Sequence, residues 1–584
     1  MIVPMKKITL LISGKSKDEA MKVIRRLGVL HVKHVNPPQS EDVETLSHQV
    51  SRADAALVLM EEPTSSKASL KGGQKVVEDI LALKSEKEHL EAEFEEKLET
   101  RLWFDQWGKV SLKSMEALRE AGIFVRCYRT DAKTLANVSA EKNVHVLQED
   151  KRGIFAVLLS QYSDEKLDIP EDVMPQVEIK ELNLEIQKIK KQLQIIQKKI
   201  NELGAKKIAV EDYLQSLRKD LEFNQVLAGV GNAEDFVYLQ GFCPDDVVES
   251  VKTAADKNGW GYILEEPDDP TEVPTLLKNR KPLRIIEPLF QFMGTLPGYN
   301  EVDVSFIFLL FFSVFYAMII GDAGYGLLFL GGTVFARIKM RKAPMEPFAL
   351  FFVLSITTII WGGLTGTWFG SKALAQWGPL KRFIIEPMFS FNESTEATRF
   401  MMKFTFILGL IHLIIGRIMS FFRKLPSIQA IAELGWIMIV IGIFFVADLL
   451  VLSNPLPGFV LPLIIAGIVV VGIFANFQKN PLKMIGTFFG TVLISSLDVI
   501  SSFSDVVSYI RLFAVGVASV TVAASFNEMA GGIGAPLVLL LGHGLNIILG
   551  VMSVMVHGVR LNMLEFSGHL GQEWTGKAYE PFKE

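Results

Sequence analysis

The change in character at Val302 decides what this chain can become. Residues 1–280 are rich in Lys and Glu, whereas long apolar runs dominate from Val302 onward. The runs lie near 302–320, 322–338, 347–370, 401–422, 430–452, 457–477, 485–526 and 535–566. A helix crossing a bilayer needs about 20 apolar residues. Backbone polar groups in lipid must be satisfied within the segment, so such runs become helices. Eight candidate spans follow. Only Gly321-Asp322-Ala323-Gly324 separates the first two, so that boundary is soft. The seventh is too long for one perpendicular span and must tilt, kink or extend beyond the bilayer. The composition fits a chain of two parts: 49% of residues are hydrophobic, yet 21% are charged, and mean hydropathy is +0.30.

The first part reads as mixed α/β interrupted by helix. Residues 1–36 suggest strand, helix, strand. Residues 41–105 are helical with a break near Pro63–Gly73, and a short α/β stretch follows (AGIFVRCYRT, VHVLQED, GIFAVLLS). In the helical stretch 175–225, Leu182, Ile186, Ile189, Leu193, Ile196, Ile200 and Leu203 recur at intervals of three or four, which places them on one helix face. Residues 235–265 return to α/β. This order predicts an α-dominated protein with a dumbbell before the membrane part. Its proximal lobe is 1–40 with 230–270, and its distal lobe is 106–171. Helical arms 41–105 and 172–228 pair as an antiparallel coiled coil. The plainer alternative is a helical domain whose stripe is core. A linker, 281–301, leads to the membrane domain, 302–570, with two long tilted C-terminal helices, and a cytoplasmic tail, 571–584.

The net charge of −5 makes no case for nucleic acid, and two cysteines, Cys127 and Cys243, offer neither a disulfide framework nor a metal-ligand cluster. No cofactor is called for. The first residues, MIVPMKKITLLIS, are too short in apolar length for a signal peptide and read as a strand. Loop charge gives orientation. Alternate connections are basic: Arg337, Lys339, Arg341 and Lys342; Arg423 and Lys424; Lys479 and Lys483. The loop 371–400 is a partial exception, being long and also acidic. Eight spans with basic connections inside put both termini in the cytoplasm.

Arg511 sits mid-run in the seventh span and Arg560 in the eighth. A guanidinium at the bilayer centre costs roughly 2.5–3.5 kcal/mol on insertion scales, and Arg does not escape by losing its proton. On a helix at about 100° per residue, Ser501, Ser504, Ser508 and Ser519 share the side of Arg511, with Asp498 and Asp505 on a neighbouring face. His543, Asn546, Ser553, His557 and Arg560 share one side of the last helix, and Glu565 lies just beyond. Aligned polar groups inside a membrane face a water-filled path or another protein surface. A fixed positive charge favours the ionised form of any carboxylate that approaches it. A mobile acid passing Arg511 would release its proton or metal ion there, and His543, His557, Glu565, Asp498 and Asp505 would line half-channels on either side. The competing reading is structural: the arginines pair with Asp498, Asp505 or Glu565 and hold the bundle together, or Arg560 snorkels.

Two enzyme signals fail. Gly14-Lys15-Ser16 resembles the tail of a phosphate loop, but Thr9 stands where the pattern needs Gly. An intramembrane aspartyl protease would pair Asp322 with Asp498, but Ile319 breaks its Gly-x-Gly-Asp motif and two arginines stay unexplained. A secondary transporter would need internal repeats, and none is visible.

The run SFSDVVSYIRLFAVGVAS resembles the signature helix of the membrane stator subunit of V-type and archaeal/bacterial A-type rotary ATPases (subunit a, also called subunit I). GDAGYG (321–326), the pre-membrane segment 273–305, VHGVRLNMLEF (556–566) and LQGFCP (239–244) resemble further motifs of that family. The resemblance implies a non-catalytic subunit that forms ion half-channels against a rotor ring, in a prokaryotic plasma membrane. It makes Arg511 the essential arginine facing the rotor, Arg560 the second arginine, and Glu565 an acid near the cytoplasmic half-channel. Gly321, Asp322, Gly324 and Gly326 form a structural membrane motif. Ser519 and Gly550 stand where eukaryotic members often carry His and Glu, so His543 or Asp498 would substitute in the far half-channel. Implied partners are rotor-ring proteolipids, peripheral-stalk heterodimers, the central-stalk adaptor and lipid.

Overall fold

The structure is a computed structural model of all 584 residues. It describes every residue except 61–71, 132–133, 136–141, 151–152, 234, 393, 478–480 and 532–533. Most of the expected break near Pro63–Gly73, and Lys479, lie outside the described residues, as does the Lys483 side chain. Contacts divide the chain into two compact units: 1–11, 24–33 and 240–583 form one, and 12–23 with 34–239 and Glu584 form the other.

In the second unit, α2 (Glu41–Val58), α3 (Gly73–Trp107), α5 (Ile179–Gly204) and α6 (Lys207–Gly229) are the long helices. The expected stripe is the packed face of α5: Leu182, Ile186, Ile189, Ile196 and Ile200 are buried. Lys97 of α3 pairs with Glu185 at 2.8 Å, and Lys87 with Gln197 at 3.0 Å, so the two helices run antiparallel. The returning arm is not one helix. It breaks at Ala205–Lys206, after which Val210, Leu214 and Leu217 of α6 pack with Ala53 and Ala56 of α2 and with Val76, Val77 and Ile80 of α3. At the other end of α3, Trp103, Phe104 and Trp107 join Leu182 and Ile186 of α5. They pack on Cys127, Phe155 and Val157 of a three-stranded sheet, in the order β3 (Phe124–Thr130), β5 (Gly153–Ser160), β4 (Val144–Asp150). The helix α4 (Leu112–Glu120) precedes that sheet.

The other unit holds a sheet and the apolar helices. Its strand order is β2 (His31–Lys33), β7 (Phe236–Pro244), β1 (Met5–Ser13), β8 (Gly261–Glu265); β6 (Gly231–Ala233), within residues 34–239, pairs with Phe236–Tyr238 at the start of β7. The segment after residue 570 is not a loose tail. β10 (Lys577–Ala578) pairs parallel to β9 (Pro274–Thr275), Tyr579 Oη donates to the Val29 carbonyl at 2.5 Å, and Phe582 is buried.

Among the described residues, five helices are long and apolar enough to cross a membrane, or six if one bent pair counts as a span. Apolar helices stand at all eight expected positions, and two of those positions depart from a single full-length helix. The first two candidates are α9 (Ser305–Ile320) and α10 (Ala323–Lys339), bent by 119° at Gly321–Asp322, a broken span or re-entrant turn. The sixth, Val460–Phe474, has only 15 residues. The full-length helices are α11 (Met345–Thr365), α12 (Thr395–Lys424), α13 (Ala430–Leu452), Gly490–Met529 and Ala535–Leu570. The fourth of these, 40 residues long, joins the part of α15 (Pro481–Ser508) from Gly490 onward to α16 (Ile510–Met529), with a break at Tyr509. The last begins as α17 (Ala535–Ser553) and then widens into two π-helical turns, Val554–Gly558 and Leu561–Phe566.

Candidate functional site

Arg511 and Arg560 meet at one carboxylate. Arg511 Nη2 donates to Glu565 Oε1 at 2.6 Å, and Arg560 Nε lies 3.4 Å from the same oxygen. The Glu565 side chain is 3% exposed, against 23% for Arg511 and 55% for Arg560. The other carboxylate oxygen, Oε2, is buried and has no hydrogen-bond partner. Arg511 Nε donates to the Ser508 carbonyl at 3.0 Å, across the break at Tyr509, and so satisfies a carbonyl that the helix leaves open. The π turns explain the Arg560–Glu565 contact. Bonds from i to i+5 stack residues five apart, whereas in an α-helix the same two residues diverge.

Asp505 and Asp498 do not join this pair. Asp505 accepts from His569 Nε2 at 3.1 Å, and His569 Nδ1 accepts from Arg417 Nε, also at 3.1 Å. Arg417 reaches Glu433 at 3.3 Å and lies over the Trp436 ring at 4.7 Å, and Lys424 also pairs with Glu433. A buried charge chain thus ties α12 and α13 to α15 and the last helix. Asp498 is exposed. Beside this chain, His412 is stacked between Phe311 and Phe566, and its Nδ1 lies 2.8 Å from Tyr509 Oη. Sequence reasoning missed Arg417, Glu433, His412 and His569; the first three stand in or at the edge of apolar runs and so carried the same signal as Arg511, whereas His569 lies beyond the last run.

The remaining expected polar residues bond mainly to one another. Asn546 Nδ2 donates to the Ser519 carbonyl at 2.9 Å and to Tyr325 Oη at 3.0 Å. Ser519 Oγ donates to Asn546 Oδ1 at 3.3 Å. Tyr325 Oη is 2.7 Å from His543 Nδ1, and His543 Nε2 is 3.2 Å from Asn527 Oδ1. The polar side of α17 at His543 and Asn546 thus finds partners on α10 and α16. His557 differs: its Nδ1 is buried and unpartnered.

Asp322 anchors the same interface. Its carboxylate accepts backbone N–H groups from Gly324 (2.7 Å), Tyr325 (3.3 Å), Phe369 (2.8 Å) and Gly370 (2.9 Å). It caps α10 and holds the turn after α11, whose Phe369 carbonyl accepts from Asn527. Gly321 has φ +70°, which only glycine adopts freely. A Cβ on Gly324 would sit 2.5 Å from the Phe369 ring, and one on Gly326 2.8 Å from Ile359. An acid held by four backbone donors is not available as a protease dyad.

Comparison with known proteins decides the family. V-type ATP synthase subunit I of Borreliella burgdorferi is 32% identical over 620 aligned positions that cover all of both chains. V-type ATP synthase subunit I 1 of Treponema pallidum is 31% identical over 631, again covering both chains in full. The chain belongs to the V-type and A-type ATP synthase subunit I family. A-type ATP synthase subunit I of Methanocaldococcus jannaschii is 27% identical over 394 positions, 60% of this chain and 56% of that one. No family model matches the chain. Membership of the subunit I family makes this a non-catalytic membrane subunit of a rotary ATPase and disfavours both the transporter and the protease.

Proposed function

We propose that this chain is the stator half of the ion channel in its rotary ATPase, with Arg511 as the group that discharges the rotor. Rotor-ring proteolipids present a carboxylate to the helix face carrying Arg511. Each carboxylate loads H⁺ or Na⁺ from one half-channel, turns through lipid and releases the ion opposite the guanidinium, because a nearby positive charge favours the ionised acid. The same charge blocks a straight leak of cations. The membrane potential acts at about 2.3 kcal/mol per charge per 100 mV, so each single-ion step is coupled to it.

The observation that carries this reading is the shared carboxylate. Glu565 neutralises Arg511 while no rotor acid is opposite, which lowers the cost of keeping a guanidinium in an apolar span. Two edges of the Arg511 guanidinium are used, by Ser508 and Glu565. Its Nη1 group remains to receive an incoming carboxylate, since a guanidinium has five donors. Glu565 and His557, with unpartnered buried atoms, serve the cytoplasmic half-channel, with Arg560 and Asp505 near its mouth; Asp498, which precedes Arg511 on the cytoplasmic side of the same run, joins them rather than the far half-channel. Ser508 positions Arg511, and Ser519, Asn546 and His543 hold the helices that frame it. The paired helices α3 and α5 act as a strut that takes torque from peripheral-stalk heterodimers, and the N-terminal half meets the central-stalk adaptor. Both termini lie in the cytoplasm of a prokaryotic cell.

The test is ATP-driven ion uptake into vesicles holding the whole complex with Arg511→Ala. Assembly should persist and uptake should vanish. Uptake near the wild-type rate would make Arg511 a structural residue and refute the mechanism.

A further inference from the structure

A cavity of about 530 Å³ opens beside the C-terminal half of α16. Thr521, Ser525 and Glu528 of α16 line it, with Thr398 of α12, Lys372 and the turn 388–392. A smaller space of about 50 Å³ continues inward, sharing Ser390, Met401, Phe513, Val517, Val520 and Thr521 as walls, and reaches Leu512, Gly516 and Gly321. A water occupies about 30 Å³ of liquid, so the inner space has room for about one water and the outer one for roughly eighteen.

Three observations give this space a role. Its walls carry hydroxyls and its lining carries both signs of charge, Glu528 and Lys372, the latter with its ammonium over the Phe391 ring. Thr521 Oγ1 donates to the Val517 carbonyl at 2.9 Å, which leaves its oxygen free to accept. Thr521 and Ser525 also belong to the exposed side of α16, with Ala514 and Ala518, and Arg511 is partly exposed one turn before Ala514. Small side chains there let a second helix approach closely. Finally, the polar groups that would line a route inside the bundle (Ser519, Asn546, His543 and Tyr325) are engaged with one another.

We propose that this cavity is the extracytoplasmic access vestibule of the ion path, in which Glu528 collects hydrated cations that pass Thr521 and Ser525 to the Arg511 face of α16. The proposal rests on the stator reading and locates its far half-channel at the α12–α16 flank rather than along α17.

The test uses single cysteines in the whole complex. Thr521→Cys and Ser525→Cys are treated in intact cells with membrane-impermeant thiosulfonates, one bearing a trimethylammonium and one a sulfonate. Leu540→Cys, on the exposed apolar side of α17, is the lipid-facing control. Burial pushes the native thiols of Cys127 and Cys243 up to about 12 and about 11, so both stay unreactive at neutral pH. Both introduced cysteines should react, faster with the cationic reagent, while Leu540→Cys stays silent. Labelling should cut ATP-driven uptake in inverted vesicles from the same cells by about tenfold. Adding Glu528→Gln to Thr521→Cys should slow the cationic reagent by about threefold and leave the anionic one no slower. If neither cysteine reacts, as when a lipid headgroup fills the space, or if the two reagents react alike, the vestibule is refuted. The stator reading then stands so long as Arg511→Ala abolishes uptake. Normal uptake by Arg511→Ala would sink both.

Discussion

At the scale of single residues, the site turns on Glu565. One buried carboxylate serves two guanidiniums and keeps an oxygen unpartnered, an arrangement costly in stability but suited to exchanging one counter-ion for another. Glu565→Gln keeps the shape and removes the charge. We expect the complex to assemble and ATP-driven uptake to fall by about tenfold or more. Unchanged uptake would make Glu565 a brace. Much of this site was legible from residue chemistry alone. Charged groups in apolar runs are expensive, and that argument singled out Arg511 and Arg560 and included Glu565 among the candidate partners. It passed over Arg417 and Glu433, which lie near the ends of apolar runs where a charge is less costly, and over His569, which lies beyond them; their pairing joins separate helices and a one-dimensional pattern does not show it.

At the scale of elements, three departures from ideal helix shape the site: the bend at Gly321–Asp322, the break at Tyr509 and the π turns around Arg560. Each moves a polar group that the regular 100° wheel misplaces. Asp322 is the most exposed to test. Replacing it with Ala orphans four backbone N–H groups inside the bundle, at a cost of about 3 kcal/mol or more. Asp322→Ala should therefore lower the melting temperature and assembly yield of the purified subunit, and Asp322→Asn, which retains an acceptor, should lose less. A variant as stable as wild type would remove the anchoring role.

At the scale of the whole chain, its last residues return to its first strands. Tyr579 and Phe582 bind at Val29 and Leu30, and His31 Nδ1 meets the Glu580 backbone. Burial holds the His31 imidazole below its ordinary value of about 6.5, with the Glu580 carbonyl pulling the other way. Below pH 6.5 the unfolded segment thus binds more protons than the folded one, so this strap loses stability as pH falls through 6.5 and is unaffected above it. Hydrogen exchange over residues 577–582, corrected for intrinsic rates, should quicken between pH 7.5 and 5.5, and His31→Gln should abolish that dependence. An unchanged profile would show that His31 does not couple to the strap.

What the sequence determined was whatever depends on composition and local period. Apolar runs against a Lys- and Glu-rich half divide the chain, since lipid admits only helix there. The stripe from Leu182 to Ile200 set the packed face of α5, since a helix repeats its neighbours every three or four residues. The motifs around GDAGYG and Arg511 set the family. The tertiary structure decided which runs are whole helices, which polar groups find each other and where space is left. Those outcomes depend on distances between segments far apart in sequence: Asp322 with Phe369, Arg417 with His569, Thr398 with Thr521. No local pattern encodes such distances, because they follow from how the helices pack.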